Sequence, residues 1–330
     1  MTTAQILAST GTTKTWKMQQ LFALGHSRSE VATLLGVGYG FVQNVYAAWV
    51  GSASQPTRTR RATSARALVT PVAAPFALQA FTRTFGVEIE AYGVPRAALL
   101  AELRAQGLEA QDESYNHITR PHWKIVSDGS VCGANGFELV SPVLRGLEGL
   151  ADLERACRAL RICGAQVNNS CGLHVHFGAS DLRIEHFRQL VRNYLVLEPT
   201  IDSLMPATRR GNANTYCQGL LRGRTQAAAE QALLAATTTE QLSQAANGGD
   251  RYHKVNLQSF RRHGTVEFRQ HSGTTDYEKI SMWVKFLHNL IDYSASHLVA
   301  PALPVEQLTT FNQRDIATYY QRRRTALATR

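Results

Sequence analysis

Four segments of this chain place ionisable side chains at alternate positions between apolar residues. These side chains are Glu88 and Glu90, Glu138, His174 and His176, and Glu267 and Arg269. Because alternate residues of a β-strand point to the same face, each pair would share one face and its apolar neighbours the other. The pattern therefore predicts a sheet with one apolar face and one face that collects carboxylates, imidazoles and a guanidinium.

Each segment, taken alone, also has a simpler explanation. The glutamate pair fits an exposed strand with two solvated acids, and the Glu267–Arg269 pair fits a structural ion pair. Two histidines on one face of an otherwise apolar strand are harder to explain in that way. Adjacent carboxylates repel unless a cation lies between them, and paired oxygen ligands suit Mg²⁺ or Mn²⁺. The clustering over four segments therefore favours a charged groove that binds metal.

Helical and strand-like stretches alternate through this part of the chain. Apolar spacing predicts helices over residues 95–106, 147–163, 184–197, 226–237 and 279–297. Strand-like segments lie in pairs between the helices, and the last pair, 252–260 and 264–272, is predicted to form a hairpin. Paired strands between helices are typical of an α+β fold with an antiparallel sheet.

A different pattern precedes this region. Residues 14–50 predict three short helices, the second of which begins with a capping box formed by Ser27 and Glu30. The run HSRSEVATLLGVGYGFVQNVY, with its glycine-containing turn, resembles the helix-turn-helix of transcription factors and recombinases. Its third helix offers only Gln43 and Asn44 for reading bases, and no Lys or Arg. A small protein-docking module is the alternative interpretation.

Positive charge is concentrated in the N-terminal part. The net formal charge is +10, of which residues 1–80 carry +6 and the remaining 250 residues +4. Residues 51–80 are rich in Ser, Thr, Ala, Pro and Arg and lack apolar periodicity, which predicts a flexible basic linker. This asymmetry suggests a polyanionic partner, DNA, for residues 1–80, although a solubilising tail explains it equally well.

The expected layout has four parts. They are a helix-turn-helix-like domain at 1–50, the linker at 51–80, the large groove-bearing domain at 81–300 and a basic tail or helix at 301–330. No apolar run approaches the roughly 20 residues of a membrane-spanning helix, and signal-peptide features are absent from the N-terminus. The five cysteines lack C-x-x-C spacing, which argues against a disulfide framework or structural zinc. We therefore expect a cytoplasmic protein without a membrane partner.

Four motifs in order carry a family resemblance. FGVEIE, WKIVSDGSV with GFELVSP, VNNSCGLHVHFG and GTVEFRQHSGTTD resemble the amidoligase family, over about residues 82–295. That family is related to glutamine synthetases and glutamate–cysteine ligases. The resemblance implies a glutamine-synthetase-like antiparallel sheet with flanking helices, which forms a funnel with ATP at one end and the acid and amine at the other. It implies an ATP-dependent carboxylate–amine ligase that works through an acyl phosphate.

The resemblance also implies roles for individual residues. The implied ligands of Mg²⁺ or Mn²⁺ are Glu88, Glu90, Glu138, His174 and Glu267. Arg269 would meet the transferred phosphoryl group. Arg269 and Lys124 would both contact ATP. Glu267 and His176 would be catalytic neighbours of Arg269.

Two further expectations concern the site. Glutamine synthetases carry two glutamates in the second motif, and Asp128 of the Ser-Asp-Gly-Ser turn is the available substitute for the missing one. The number of metals therefore stays open. The polar loop at 209–216 is suited to covering the site or holding a carboxylate. The expected substrate contacts are Arg209, Asn214, Lys254 and Asn256.

Two other functional classes remain open. One is a DNA-binding regulator whose large domain senses a ligand, and the other is a metal-dependent hydrolase that uses the histidine pair. The absence of an H-E-x-x-H helix argues against the hydrolase. Cys171 is expected to be a buried structural cysteine, because no positive charge adjoins it in sequence. The sequence identifies neither the acid nor the amine, and leaves free amino acids, peptides and proteins as substrates.

Overall fold

A computed structural model of the chain describes residues 2–52, 76, 78 and 80–329. The chain divides into two compact units, Met1–Pro71 and Val72–Arg330. Most of the linker predicted at 51–80 lies outside the described residues, so the proposed domain boundaries stay a prediction. Among the described residues, no helix is both long and apolar enough to cross a membrane.

The smaller unit is helical, as the sequence predicts. Its helices are α1 (Thr3–Ala8), α2 (Lys14–Ala23), α3 (Arg28–Leu35) and α4 (Tyr39–Ser52). The first of them was not expected from the sequence. The predicted capping box is present, since Ser27 Oγ accepts from Glu30 N at 3.3 Å and Glu30 Oε2 accepts from Ser27 N at 2.7 Å. The helices enclose a small core that includes Met18, Leu21 and Val31.

One contact in this unit bears on the DNA prediction. Arg28 Nη1 donates to Gln43 Oε1 at 2.7 Å, and the same guanidinium lies over the ring of Tyr46. One of the two side chains expected to read bases is therefore held by a neighbouring helix. DNA binding by residues 1–80 remains a prediction.

The larger unit is built on one mostly antiparallel sheet, which confirms the α+β class. Its strands are β1 (Thr84–Ala91), β2 (Ala110–Asp112), β3 (Trp123–Val126), β4 (Phe137–Val140), β5 (Leu144–Arg145), β6 (Gly172–Gly178), β7 (Val255–Asn256) and β8 (Thr265–Ser272). The strand order is β2-β3-β4-β1-β6-β8-β7, with β5 paired to the start of β1. Only β2 and β3 run parallel among the pairs described.

Helices pack on the apolar face of this sheet. The α-helices of the larger unit are α5 (Arg96–Ala105), α6 (Gly146–Ile162), α7 (Ile184–Ser203), α8 (Gln226–Ala235), α9 (Thr239–Asn247), α10 (Gln258–His263), α11 (Tyr277–Ser294) and α12 (Arg314–Ala328). The ring of Tyr194 on α7 lies against Phe268 of β8, and His288 on α11 lies against Phe177 of β6. The predicted alternation therefore holds, because the apolar residues between the ionisable ones form the core.

The predicted hairpin over 252–272 is wrong in its first half. Only Val255–Asn256 pair with β8, and residues 258–263 form the helix α10. Asn256 Oδ1 accepts from Gln258 N at 2.9 Å, and Ser259 Oγ donates to Asn256 O at 3.0 Å. Such side-chain bonds to the backbone compete with a strand and start a helical turn. The chain then enters β8 through Gly264, whose φ of +66° suits glycine.

Two other stretches gain helices. Helix α9 was not predicted, and α12 occupies the region expected to be a basic tail or helix. The latter helix buries Ile316, Ala317 and Tyr320, and the ring of Tyr320 contacts Phe286 of α11. Residues 314–328 therefore pack onto the sheet-bearing unit instead of extending into solvent.

Candidate active site

Strand register brings the ionisable side chains of four strands together. Glu90 lies opposite Glu138, and Glu88 lies opposite His174. On the other side of β6, His176 lies opposite Glu267, which in turn faces Asn256. Directly opposed side chains in antiparallel strands are close neighbours. The polar face predicted from the sequence is thus a continuous row across β4, β1, β6, β8 and β7.

His174 lies at the centre of this row. Its Nδ1 is 3.0 Å from Glu88 Oε2 and 3.8 Å from Glu267 Oε1, and its Nε2 is 3.5 Å from Glu90 Oε1. Two groups of ligand atoms result, each with all atoms within 4.8 Å of one another. They are Glu88, His174 and Glu267, and Glu90, Glu138 and His174. Every metal ligand expected from the sequence belongs to one of these two triplets.

Glu138 has the least compensated charge of the row. Burial raises its pKa well above the usual range, and repulsion from Glu88, Glu90 and Asp128 adds to the effect. A divalent cation would remove this repulsion, because opposite charge favours the ionised form. The donor set, carboxylate oxygens with one imidazole, suits Mg²⁺ or Mn²⁺. The residues present therefore fit the metal that the sequence implied.

Glu88 is balanced by two histidines. Burial acts to raise its pKa, but His176 and His174 outweigh burial and hold the pKa well below the usual range. His176 Nε2 lies 3.3 Å from Glu88 Oε1, and its Nδ1 lies 3.0 Å from Thr265 Oγ1. Burial acts to lower the pKa of His176, yet the nearby carboxylates of Glu267 and Glu88 raise it. The two acids therefore favour the protonated form of this imidazole.

Glu267 is held from two sides. Arg269 Nη1 lies 2.5 Å from its Oε1, and Asn256 Nδ2 donates to its Oε2 at 2.6 Å. Burial acts against its ionisation, but Arg269 and His176 lower the pKa of Glu267 overall. Burial also disfavours the charged guanidinium of Arg269, and Glu267 outweighs it, so the pKa of Arg269 is raised. The two residues thus form a buried ion pair at the edge of the triplets.

A groove with three compartments opens above the row. The largest, the basic chamber, has a volume of about 530 Å³. Its wall includes Arg251, Ser259, Arg261, Arg262, His263 and Arg269. The apolar slot, of about 130 Å³, has Val140, Pro142 and Val143 in its lining. The acidic chamber, of about 120 Å³, is lined by Glu90, Asp128, Glu138, Arg209, Asn214 and Tyr216 among others.

Two residues line all three compartments. Glu88 forms part of the floor, and His117 comes from the segment between β2 and β3. The compartments therefore converge at Glu88, which belongs to the first of the two triplets. The sequence singled out Arg269 of the basic chamber, but not His117, Arg251, Arg261 or Arg262, because these residues lie on irregular segments and a short helix. The run Arg261-Arg262-His263 lies between the two strands of the predicted hairpin, and the helix α10 directs it to the groove.

Arg209 occupies an unusual position for an arginine. It is 3% exposed, and its Nη2 donates to Cys171 O at 2.5 Å. Its Nε has no hydrogen-bond partner, and no acidic side chain pairs with it within the described residues. Gly172 permits this placement, since a Cβ there would lie 3.2 Å from Arg209 Nη2. Cys171 itself is buried, as expected.

Three further residues named from the sequence are Asp128, Lys124 and Lys254. Asp128 lines the acidic chamber, and its Oδ1 accepts from Ser130 N and Oγ, both at 2.7 Å. Lys124 is buried in the wall of the apolar slot and donates all of its described bonds to Asn116 and Ile118. Lys254 is fully buried, with Nζ 2.8 Å from Glu198 Oε1 and 2.6 Å from Asp202 Oδ1.

Lys254→Met is expected to destabilise the protein because two acids of α7 would lose their counter-ion. Removing one partner of a buried ion pair costs about 3–5 kcal/mol. We expect a loss of this size in the free energy of unfolding, measured with urea. Lys285→Met, on the less buried side of α11, is the matched control and should change stability little. If the variant is stable and its KM for the substrate is raised, the result would support the substrate contact of Lys254 that the sequence predicts.

Comparison with known proteins agrees with the geometry. The family model described as "Putative amidoligase enzyme" matches residues 81–291. That range contains all eight strands of the sheet and every residue named above as lining the groove. A comparison with curated proteins found no match.

Proposed function

The chain belongs to the amidoligase family, and from that premise we propose that it uses ATP to activate a carboxylic acid and joins the acid to an amine. One observation carries the proposal: the two carboxylate–histidine triplets share His174, and Glu88 of the first triplet also lines the basic chamber. A ligase of this type must hold a polyphosphate, a divalent cation and an acid in one groove. The compartments supply a place for each.

The metal side of the proposal rests on the two triplets. Mg²⁺ or Mn²⁺ would be held by Glu88, Glu90, Glu138, His174 and Glu267, and when bound would screen the phosphate charges. The ligands are already oriented by the protein. Gly172 N donates to Glu90 Oε2 at 2.6 Å, and His174 Nδ1 lies 3.0 Å from Glu88 Oε2. Such contacts fix the carboxylates before a cation arrives.

The basic chamber suits the triphosphate of ATP. Arg251, Arg261 and Arg262 line it, and fork-shaped guanidinium groups match phosphate oxygens. Arg269 lies between this chamber and the triplets, and Glu267 holds its guanidinium in place. We propose that Arg269 stabilises the charge on the transferred phosphoryl group. His176 would supply a second cationic group on the same floor.

The acidic chamber suits the acid to be activated. Arg209 is a buried cation without an acidic partner in the described part of the chain. A buried charge is costly unless paired, so a substrate carboxylate is the natural counter-ion. Asn214 and Tyr216 border the same space. The chamber's small volume, about 120 Å³, favours a compact acid or the end of a flexible chain.

The proposed reaction has two steps. An oxygen of the substrate carboxylate attacks the γ-phosphorus of ATP, the bond to the β-phosphate oxygen breaks, and ADP leaves. The amine then attacks the acyl carbon, the bond from carbon to the phosphate oxygen breaks, and inorganic phosphate leaves while the nitrogen loses a proton. The sum converts acid, amine and ATP into amide, ADP and phosphate.

A turnover screen tests this proposal. The full chain would be incubated with MgATP and pools of carboxylic acids and amines, including amino acids and peptides, and ADP would be measured. The expected result is ADP formation that requires an acid and an amine together. Cleavage of amides or esters without ATP would favour the metal-dependent hydrolase. Nucleotide-free binding of small acids without turnover would favour the ligand sensor.

A further inference from the structure

One segment crosses the groove on its polar side. We call Glu113–His122 the strap; it connects the parallel strands β2 and β3. A parallel pair requires a crossover connection. In this protein four consecutive strap residues, 116–119, line the apolar slot, and His117 lines every compartment. The connection therefore serves as part of the groove's covering wall.

Lys124 fastens the strap from below. Its Nζ donates to Asn116 O at 3.0 Å, to Asn116 Oδ1 at 2.9 Å and to Ile118 O at 2.9 Å. An ammonium group has three N–H donors, so these bonds use all of them. Lys124 is 3% exposed, whereas Ile118 above it is 54% exposed. All three N–H donors of this buried ammonium therefore bond to two residues of a surface segment, Asn116 and Ile118.

A second clamp closes the base of the strap. Glu113 accepts from His122 Nε2 at 2.8 Å, Asn116 Nδ2 at 2.9 Å and Arg120 Nε at 3.1 Å. The bond from His122 contributes most to lowering the pKa of Glu113, to about 2. The two ends of the strap are therefore tied to each other beside β3.

The opposite edge of the strap is held more weakly. Thr119 Oγ1 lies 3.4 Å from His263 Nδ1 on α10, at the limit for a hydrogen bond. Tyr115, which is 53% exposed, bonds to His117 of the strap itself at 3.0 Å. On the side of the basic chamber the segment is held by the contact of Thr119 with His263 and by an interaction of Tyr115 with Arg251, whereas three bonds from Lys124 anchor it on the β3 side.

We propose that the strap is the lid of the reaction centre and that Lys124 is the positioning residue that holds it over Glu88. This inference rests on the proposed function, because a lid matters when an acyl phosphate must be kept from water. If water attacks the acyl carbon in place of the amine, the carbon–oxygen bond to phosphate breaks and the acid is regenerated. ATP is then converted to ADP and phosphate without an amide.

Lys124→Met tests the proposal through the coupling of ATP use to amide formation. The methionine keeps most of the side-chain volume but donates no hydrogen bond. We expect the ADP formed per amide to rise at least about fivefold, with ATP KM changed less than about twofold. Lys279→Met, on the exposed start of α11, is the matched control and should stay coupled. A purely structural loss would lower both products in proportion, which would overturn the proposal.

Hydrogen exchange provides a readout that does not require turnover. Backbone amides of residues 113–122 would be followed by mass spectrometry with and without Mg²⁺ and the β,γ-imido analogue of ATP. We expect the analogue to slow exchange in the unmodified protein, and Lys124→Met to accelerate exchange about tenfold in this segment alone. Unchanged hydrogen exchange of residues 113–122 in a folded Lys124→Met variant would overturn the proposal that Lys124 holds the strap as a lid.

A milder variant keeps the test decisive if Lys124→Met fails to fold. Asn116→Ala leaves Lys124 with two of its three acceptors, and it also removes the bond from Asn116 Nδ2 to Glu113 and the bond from Ile118 N to Asn116 Oδ1, so it loosens the strap while the lysine stays in place. It should show a smaller rise in both ADP per amide and exchange of the strap, and wild-type values in both would overturn the proposal. Should no acid–amine pair support ADP formation, the proposed function fails, while the exchange of the strap still decides whether Lys124 holds it.

Discussion

Glu138→Gln is expected to lower the rate of ADP formation at least about 100-fold, a barrier increase of about 2.7 kcal/mol. The substitution keeps the shape of the side chain and removes one charged ligand of the triplet with Glu90 and His174. It also removes a carboxylate that burial and neighbouring acids disfavour in its charged form. Without metal, the variant should therefore be as stable as the unmodified protein, or more stable.

Two measurements check this expectation. Initial rates of ADP formation give the catalytic effect, and the melting temperature with and without Mn²⁺ gives the binding effect. A ligand that binds only the folded state raises the melting temperature, and Glu138→Gln should abolish most of that rise. Glu154→Gln, at a half-exposed position of α6, is the matched control. Full activity together with a normal Mn²⁺ shift would remove Glu138 from the metal site.

Replacing Glu138 tests metal binding more clearly than replacing Glu88 and Glu90 on β1. From the repulsion between adjacent carboxylates alone, replacement of both Glu88 and Glu90 would be expected to stabilise the metal-free protein. In the structure Glu88 is stabilised by His174 and His176, and Glu90 accepts a bond from Gly172 N. Their replacement would also leave buried partners unsatisfied, which destabilises the fold. Loss of activity in that double variant would therefore not separate metal binding from folding.

Arg269→Lys is expected to lower kcat at least about 30-fold, equivalent to about 2 kcal/mol, with little change in the KM for ATP. Lysine keeps the positive charge but lacks the planar fork that can contact Glu267 and a phosphoryl oxygen together. The present guanidinium is 9% exposed and bonds to Glu267 Oε1 at 2.5 Å. An interaction made mainly in the transition state lowers kcat when it is lost.

Steady-state kinetics with the acid–amine pair from the screen would provide the measurement. Arg158 is half-exposed on α6, and Arg158→Lys controls for a general effect of replacing arginine by lysine. A circular dichroism melt should confirm that the variant is folded, since Glu267 keeps a cationic neighbour. A kcat within about threefold of the unmodified protein would mean that Arg269 serves only to pair with Glu267.

The alternation of residue types was enough to predict the polar face. Val87 and Ile89 between the glutamates, and Leu173, Val175 and Phe177 around the histidines, are all buried in the core. The two-residue period of a strand leaves the intervening ionisable groups no other face. The grouping of all five predicted metal ligands needs the strand order as well as the local pattern, because the order decides which strands are neighbours.

Other features depend on packing between distant segments. The sequence could not show that Lys254 would face Glu198 and Asp202, because those acids lie on α7, more than 50 residues earlier in the chain. The contact of Lys124 with ATP stays a prediction; its side chain lines the apolar slot, and the sequence could not show that its ammonium donates to acceptors of the strap. Neither lysine lies in a periodic pattern that could distinguish a ligand contact from an internal one.

What the sequence determined by itself was the α+β class, the helical N-terminal unit and the ionisable face of the sheet, because propensity and periodicity are local properties. The tertiary structure alone decided that His174 lies between two triplets, since strand register sets which side chains are opposite each other. It also decided that α10 directs its arginines into the groove and that His117 of the strap lines the same compartments as Glu88. Irregular segments take their positions from the elements they join, and no local pattern encodes that position.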